Sequence, residues 1–153
     1  MSRNSRVIKA SAQQVWDVLA DGWLYPLWVV GASRMRQVED GWPAEGTRLH
    51  HSVGSWPLLL DDDTKVLEAV APRRLVVQAR AWPSGEARVS IDLNPVVAQD
   101  GLRTEVVIEE RAVNGPGRLV PRVLQDPPLA WRNIETLRRL AFVVEGRAVP
   151  ARP

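Results

Sequence analysis

Between residues 33 and 112 the chain is a succession of short Val-, Leu- and Ile-rich segments cut by Gly, Pro, Asp and Asn. The breaks fall at residues 41–43 (GWP), 54–57 (GSWP), 71–73 (APR), 83–85 (PSG) and 99–101 (QDG). Turn signals at this spacing specify an antiparallel meander, with strands expected at 33–39, 46–53, 58–70, 74–82, 86–96 and 102–112. Alternation is clearest late in the run. Ala87, Val89, Ile91 and Leu93 interleave with Arg88, Ser90 and Asp92, and Leu75, Val77 and Ala79 interleave with Arg74, Gln78 and Arg80. Each such strand has one apolar face and one wet face.

Little else is available to cover the apolar side. Residues 3–9 fit one further strand. Ser11 then stands as an N-cap with Gln14 three positions on, a capping-box pattern, and Ala12, Val15, Trp16 and Leu19 follow at helical spacing. A helix over about 12–20 is predicted, ended by Asp21 and Gly22. A second helical piece from Trp23 to Val29 is held to a turn or two by Pro26. After the breaker-rich stretch 114–120 and the prolines Pro127 and Pro128, a last helix is expected over about 129–145. Its stripe is Ala130, Ile134, Leu137, Ala141 and Val144, with Leu140 beside it and Arg132, Glu135, Arg138 and Arg139 opposite. Whether 117–126 is helical stays open, and residues 147–153 read as a frayed tail.

One amphipathic helix is too narrow to seal a flat seven-stranded sheet. The sheet has to curl around it, helped by twist and bulges, and a curl of that kind leaves an apolar hollow. The expected fold is therefore α+β: a curved seven-stranded antiparallel sheet wrapped around a long C-terminal helix, with two short helices after the first strand. At 153 residues one domain spanning 1–153 is expected, large enough to bury a core without staples.

Composition narrows the chemistry. Cysteine is absent, which excludes disulfides, a thiol nucleophile and Cys-ligated metal. Twenty basic residues face eighteen acidic ones, a net charge of +2, and the arginines are scattered. No concentrated basic stripe of the kind nucleic acid requires is present. No apolar run approaches the ~20 residues of a membrane span, and the first residues lack a signal-peptide core. A cytoplasmic protein without stable membrane insertion is expected, as monomer or homodimer. Seven tryptophans against one Tyr and one Phe stand out, since Trp suits the walls and mouths of apolar pockets.

Two groups of residues offer chemistry. His50 and His51 lie on the third strand, and Asp61, Asp62 and Asp63 follow the Gly54–Pro57 turn. In a hairpin the histidines fall near residues 59–61, and only one histidine and alternate aspartates share a face. A His–Asp acid/base pair is one reading; a solvated edge whose charges discourage strand-to-strand association is the other. No metal site is expected. The second group is Glu110, which follows Thr104, Val106 and Ile108 inward. It is a base where burial raises its pKa, or an ion-pair partner of Arg111 or of an arginine on the closing helix. Asn133, beside the helix stripe, is a candidate polar contact. No phosphate-cradling glycine loop, zinc-protease helix or nucleophile elbow occurs.

The order of elements resembles the SRPBCC/START-like helix-grip superfamily, which includes lipid-transfer domains, the plant pollen-allergen fold and polyketide cyclase/dehydrase-like proteins. The resemblance is carried by residues 7–19 (VIKASAQQVWDVL), 43–48 (PAEGTR), 64–75 (TKVLEAVAPRRL) and 132–140 (RNIETLRRL), within about 5–146. It implies a hydrophobic small-molecule ligand, lipid- or polyketide-like, between sheet and closing helix. It also implies a lid role for Trp23, Tyr25 and Trp28; Trp56 and Trp82, at expected strand ends, are candidates for rim contacts. The expected wall is Leu75, Val77, Ala79, Val89, Ile91, Leu93, Val106 and Ile108 from the sheet and Ile134, Leu137 and Ala141 from the helix. His51, Glu110 and Asn133 are the expected polar contacts. The alternatives are a cofactor-independent cyclase or dehydratase using His51 and Glu110 as acid and base, and a protein-interaction module. No cofactor is expected.

Overall fold

The computed structural model describes residues 1–81, 85–115, 119 and 121–148. Its strands are β1 (Ser2–Ile8), β2 (Ala32–Val38), β3 (Arg48–Val53), β4 (Leu60–Val70), β5 (Arg74–Ala81), β6 (Gly85–Ala98) and β7 (Gly101–Asn114). They form one antiparallel sheet in the order β1-β7-β6-β5-β4-β3-β2. The meander reaches its far edge at β2, while β1 closes onto β7 at the other. Register shifts interrupt β2–β3, β4–β5 and β6–β7. Such bulges sharpen local twist and bend the sheet, which is how it curls.

Helix α1 (Ala12–Ala20) begins at Ser11, whose hydroxyl accepts from Gln14 N while the Gln14 side chain accepts from Ser11 N. The cap is the expected one and stabilises the helix start by about 1 kcal/mol. Val15, Trp16, Val18 and Leu19 are its buried face. A 3₁₀ turn (Gly22–Leu24) leads into α2 (Tyr25–Trp28). The turn packs so closely that a Cβ on Gly22 would lie 2.6 Å from Leu49 Cδ2; this contact fixes where α2 sits over the sheet.

Helix α3 (Arg122–Ala148) is longer at its start than the expected 129–145 and runs through Pro127 and Pro128. Each proline removes one helical N–H bond, and both are exposed, in the second turn of the helix. Because α3 continues to Ala148, residues 147 and 148 of the expected tail are helical, and the rest of that tail lies outside the described residues. The buried face of α3 is Asn133, Thr136, Leu137, Leu140, Ala141 and Val144. Ile134 is a correction: it is 54% exposed. At 100° per residue it stands about a quarter turn from the centre of that face, so the expected stripe was rotated.

The core joins Ile8, Val15, Leu19, Leu49, Leu75, Ile108, Leu137 and Leu140. Helix α3 meets the sheet mainly at β1 and β7, and packs against α1 and α2. The inner faces of β5 and β6 thus fall beyond its main line of contact.

Candidate ligand-binding cavity

Beyond α3 the sheet's inner face borders a cavity of about 110 Å³. Its floor is Leu75, Val77 and Ala79 of β5, Ala87, Val89 and Ile91 of β6, and Ile108 and Glu110 of β7. The roof is Tyr25, Trp28 and Val29 from α2 and its exit, with Arg132, Asn133 and Thr136 from α3. Val30 N donates to Thr136 Oγ1 at 3.3 Å, tying the corner after α2 to the helix. Gly31 and Arg80, both exposed, mark the mouth. The volume is of the order of the ~150 Å³ apolar cavity known to hold benzene; a longer guest must extend through the mouth.

Strand alternation sorts the polar candidates. His50 faces outward, its Nε2 3.0 Å from Glu39 Oε1, and His51 faces inward and is buried. His51 Nε2 lies 3.0 Å from Thr64 Oγ1, which lies 3.1 Å from the Tyr25 hydroxyl, and the His51 and Tyr25 rings are 5.2 Å apart. Burial, with Arg36 and His50 adding smaller positive-charge effects, pushes the His51 pKa from its ordinary 6.5 down to about 4. Burial also raises the Tyr25 phenol, against the pull of its Thr64 bond. At neutral pH the chain Tyr25–Thr64–His51 is thus uncharged. Its direction sets the imidazole tautomer, so His51 Nδ1 is a donor one way round and an acceptor the other.

Glu110 is buried and accepts from Arg132 Nη2 in a close ion pair. Of the two partners weighed for it, the arginine on the closing helix is the one found. Among the described residues, four buried side-chain atoms lack a hydrogen-bond partner: Trp28 Nε1, His51 Nδ1, Glu110 Oε2 and Asn133 Nδ2. All four belong to side chains that line this cavity. Buried polar atoms are nearly always paired, and four exceptions around one hollow make it the candidate site.

The expected site residues divide as follows. Tyr25, Trp28, Leu75, Val77, Ala79, Val89, Ile91, Ile108, His51, Glu110 and Asn133 come together around the cavity. Leu93, Val106, Leu137 and Ala141 are buried in the core but do not line it, and Ile134 points to solvent. Trp23 is 60% exposed and Trp56 sits at an exposed hairpin tip; neither lines the cavity. Trp82 lies outside the described residues. The His–Asp pair does not form. His51 stands opposite Asp62 rather than residues 59–61, because β4 starts only at Leu60 after a six-residue connection. Its ring bonds to Thr64 instead, and Asp62 is buried in the regular ladder and accepts from Asp63 N. No group of metal-binding side chains occurs among the described residues. Sequence reasoning missed Thr64, Arg132, Thr136 and the corner at residues 29–32. Only Arg132 had a signal, the charge that a buried Glu110 demands.

A family model described as "Polyketide cyclase / dehydrase and lipid transport" matches residues 2–145. No curated protein sequence matches the chain. Among solved structures, it is similar to the ZhuI aromatase/cyclase from Streptomyces sp. R1128 (18% identity, TM-score 0.69, 97% of this chain and 95% of that one). A protein from Rhodobacter sphaeroides is also similar (21%, 0.67, 94% and 91%), as is Ara h 8.0201 (11%, 0.66, 94% and 96%). At these identities the likeness is one of fold. No helix among the described residues is long and apolar enough to cross a membrane.

Proposed function

The chain belongs to the polyketide cyclase/dehydrase and lipid transport family, and from that premise we propose that it binds an uncharged, oxygen-bearing hydrophobic small molecule in the cavity under α2 and α3. The observation that carries this reading is the set of four unpartnered polar atoms on side chains of one apolar-walled hollow. Each unpaired buried group costs about 1–3 kcal/mol. A guest with a hydroxyl for Glu110 and a carbonyl for Trp28 or Asn133 relieves part of that cost. The apolar walls add about 25 cal/mol per Å² buried, before the cost of association. A charged guest is disfavoured, because Glu110 and Arg132 already balance each other.

A cyclase- or dehydratase-type reaction is the second reading, favoured by His51 Nδ1 and Glu110 Oε2 lining the same space. An effective acid or base has a pKa near the working pH. A histidine at about 4 is a hydrogen-bonding group rather than a proton carrier at pH 7, and Glu110 is held by Arg132. Binding is therefore the better-supported function.

Titration with 2-naphthol and with its methyl isostere 2-methylnaphthalene, followed by NMR, tests the proposal. The resonances of Trp28, Val89 and Asn133 are expected to shift, with 2-naphthol bound about tenfold more tightly for its hydroxyl. Val89→Phe is expected to abolish both shifts and to leave stability nearly unchanged, whereas in a packed interior overfilling costs about 1–3 kcal/mol. Cavity resonances that move with neither probe refute the reading.

A further inference from the structure

The reverse side of the same strands carries a separate feature. Residues 88, 90, 109 and 111 alternate with Val89 and Glu110 and so face outward. There a polar cleft of about 230 Å³ is lined by Arg74, Arg88, Ser90, Glu109 and Arg111, among others. Arg88 and Arg111 are direct cross-strand partners between β6 and β7. Like charges directly opposite each other destabilise a sheet unless something offsets them. The neighbouring charges are already engaged. Arg74 pairs with Asp92 at 2.6 Å and Glu68 at 3.3 Å, Glu109 pairs with Arg3 at 3.3 Å, and Glu86 accepts from Gln78 and Asn114. Among the described residues, no ion pair or side-chain hydrogen bond engages Arg88 or Arg111.

We propose that this outer cleft is a phosphate-binding site in which Arg88 and Arg111 grip one phosphate group, with the Ser90 hydroxyl as a third donor. Cross-strand partners have Cβ atoms about 5 Å apart, a separation that lets two planar guanidinium forks converge on one tetrahedral anion. The anion removes the like-charge repulsion that the bare pair carries. The phosphate is that of a small soluble phosphate ester or of a lipid headgroup; the chemistry is shared, and the source is read by experiment. Glu110 borders both spaces, but Arg88, Ser90 and Arg111 do not line the cavity.

Two arms test it, at fixed ionic strength so that general screening does not enter. In the first, inorganic phosphate and glycerol 3-phosphate replace chloride in an NMR titration. In the second, the protein is floated with phosphatidylglycerol-containing vesicles and with pure phosphatidylcholine vesicles. Saturable shifts of the amides at 88–90 and 109–111, weakened about tenfold or more in R88Q/R111Q, establish the site with a soluble phosphate. Flotation that requires phosphatidylglycerol and is lost in R88Q/R111Q establishes it with a lipid headgroup. Absence of both responses overturns the proposal, and so does any response that R88Q/R111Q retains in full. Both substitutions lie on the exposed sheet face and leave the core intact, so the variant is expected to fold.

Discussion

Lowering the pH from 6.5 to 4 is expected to remove up to about 3 kcal/mol of folding stability through His51 alone. In the unfolded chain this imidazole protonates near 6.5; in the folded protein burial holds it neutral until about 4. Above pH 6.5 neither state binds the proton and the full stability is present. Between those values the unfolded state takes up a proton that the folded state refuses, so stability falls as pH falls. Below about 4 both states are protonated and this contribution levels off. Other groups do not imitate it. Glu39, Asp100 and Glu135 have carboxyls held low by hydrogen bonds, so their contributions fade only in the lower carboxylate range. Asp62, pushed up by burial, works in the opposite sense. Chemical denaturation across this range is expected to show the decline in the wild type and a much flatter profile in His51→Gln. Equal slopes in the two proteins would mean that the imidazole is not secluded.

Replacing Arg132 by Met is expected to cost about 2–3 kcal/mol at pH 7, because it strands the Glu110 carboxylate without its cation. Breaking a fully buried pair costs about 3–5 kcal/mol; the lower figure reflects an arginine side chain that is 36% exposed against 3% for its partner. The variant should recover in acid. A lone buried carboxyl has its pKa raised, so the folded variant holds a proton that the unfolded chain releases, and stability is lost as pH rises through the ordinary carboxylate range. Arg132→Met/Glu110→Leu, which removes both charges, is expected to regain most of the loss, since an apolar replacement for a buried pair is often neutral. Urea midpoints of the three proteins decide it. A double variant no more stable than Arg132→Met would show that the pair is not what Glu110 depends on.

These two groups illustrate how far the sequence could be read. Period-two alternation is a local signal, so the inward set Thr104, Val106, Ile108 and Glu110 was legible, as was the Ser11–Gln14 capping box. The order of turn signals and the shortage of helices made the seven-stranded meander and its hollow legible too. Register was harder, because it depends on turn length. The six residues between β3 and β4 set His51 opposite Asp62 rather than near 59–61, and its ring bonds to Thr64, two residues further along β4. Helix phase failed at Ile134 because Asn133 and Thr136, which look like solvent-facing residues, share the buried face of α3. The cavity roof was out of reach, since the corner at 29–32 meets Thr136 across more than a hundred residues of chain. No periodicity encodes such a contact.

Whether the hollow takes a guest is decided most directly by native mass spectrometry of the protein as purified and after incubation with 2-naphthol. A non-covalent adduct of a hydrophobic, oxygen-bearing molecule or of the added naphthol is expected, released on denaturation and missing from Val89→Phe. A protein that carries neither, or a Val89→Phe variant that carries them undiminished, would contradict a ligand held between the sheet and its closing helix.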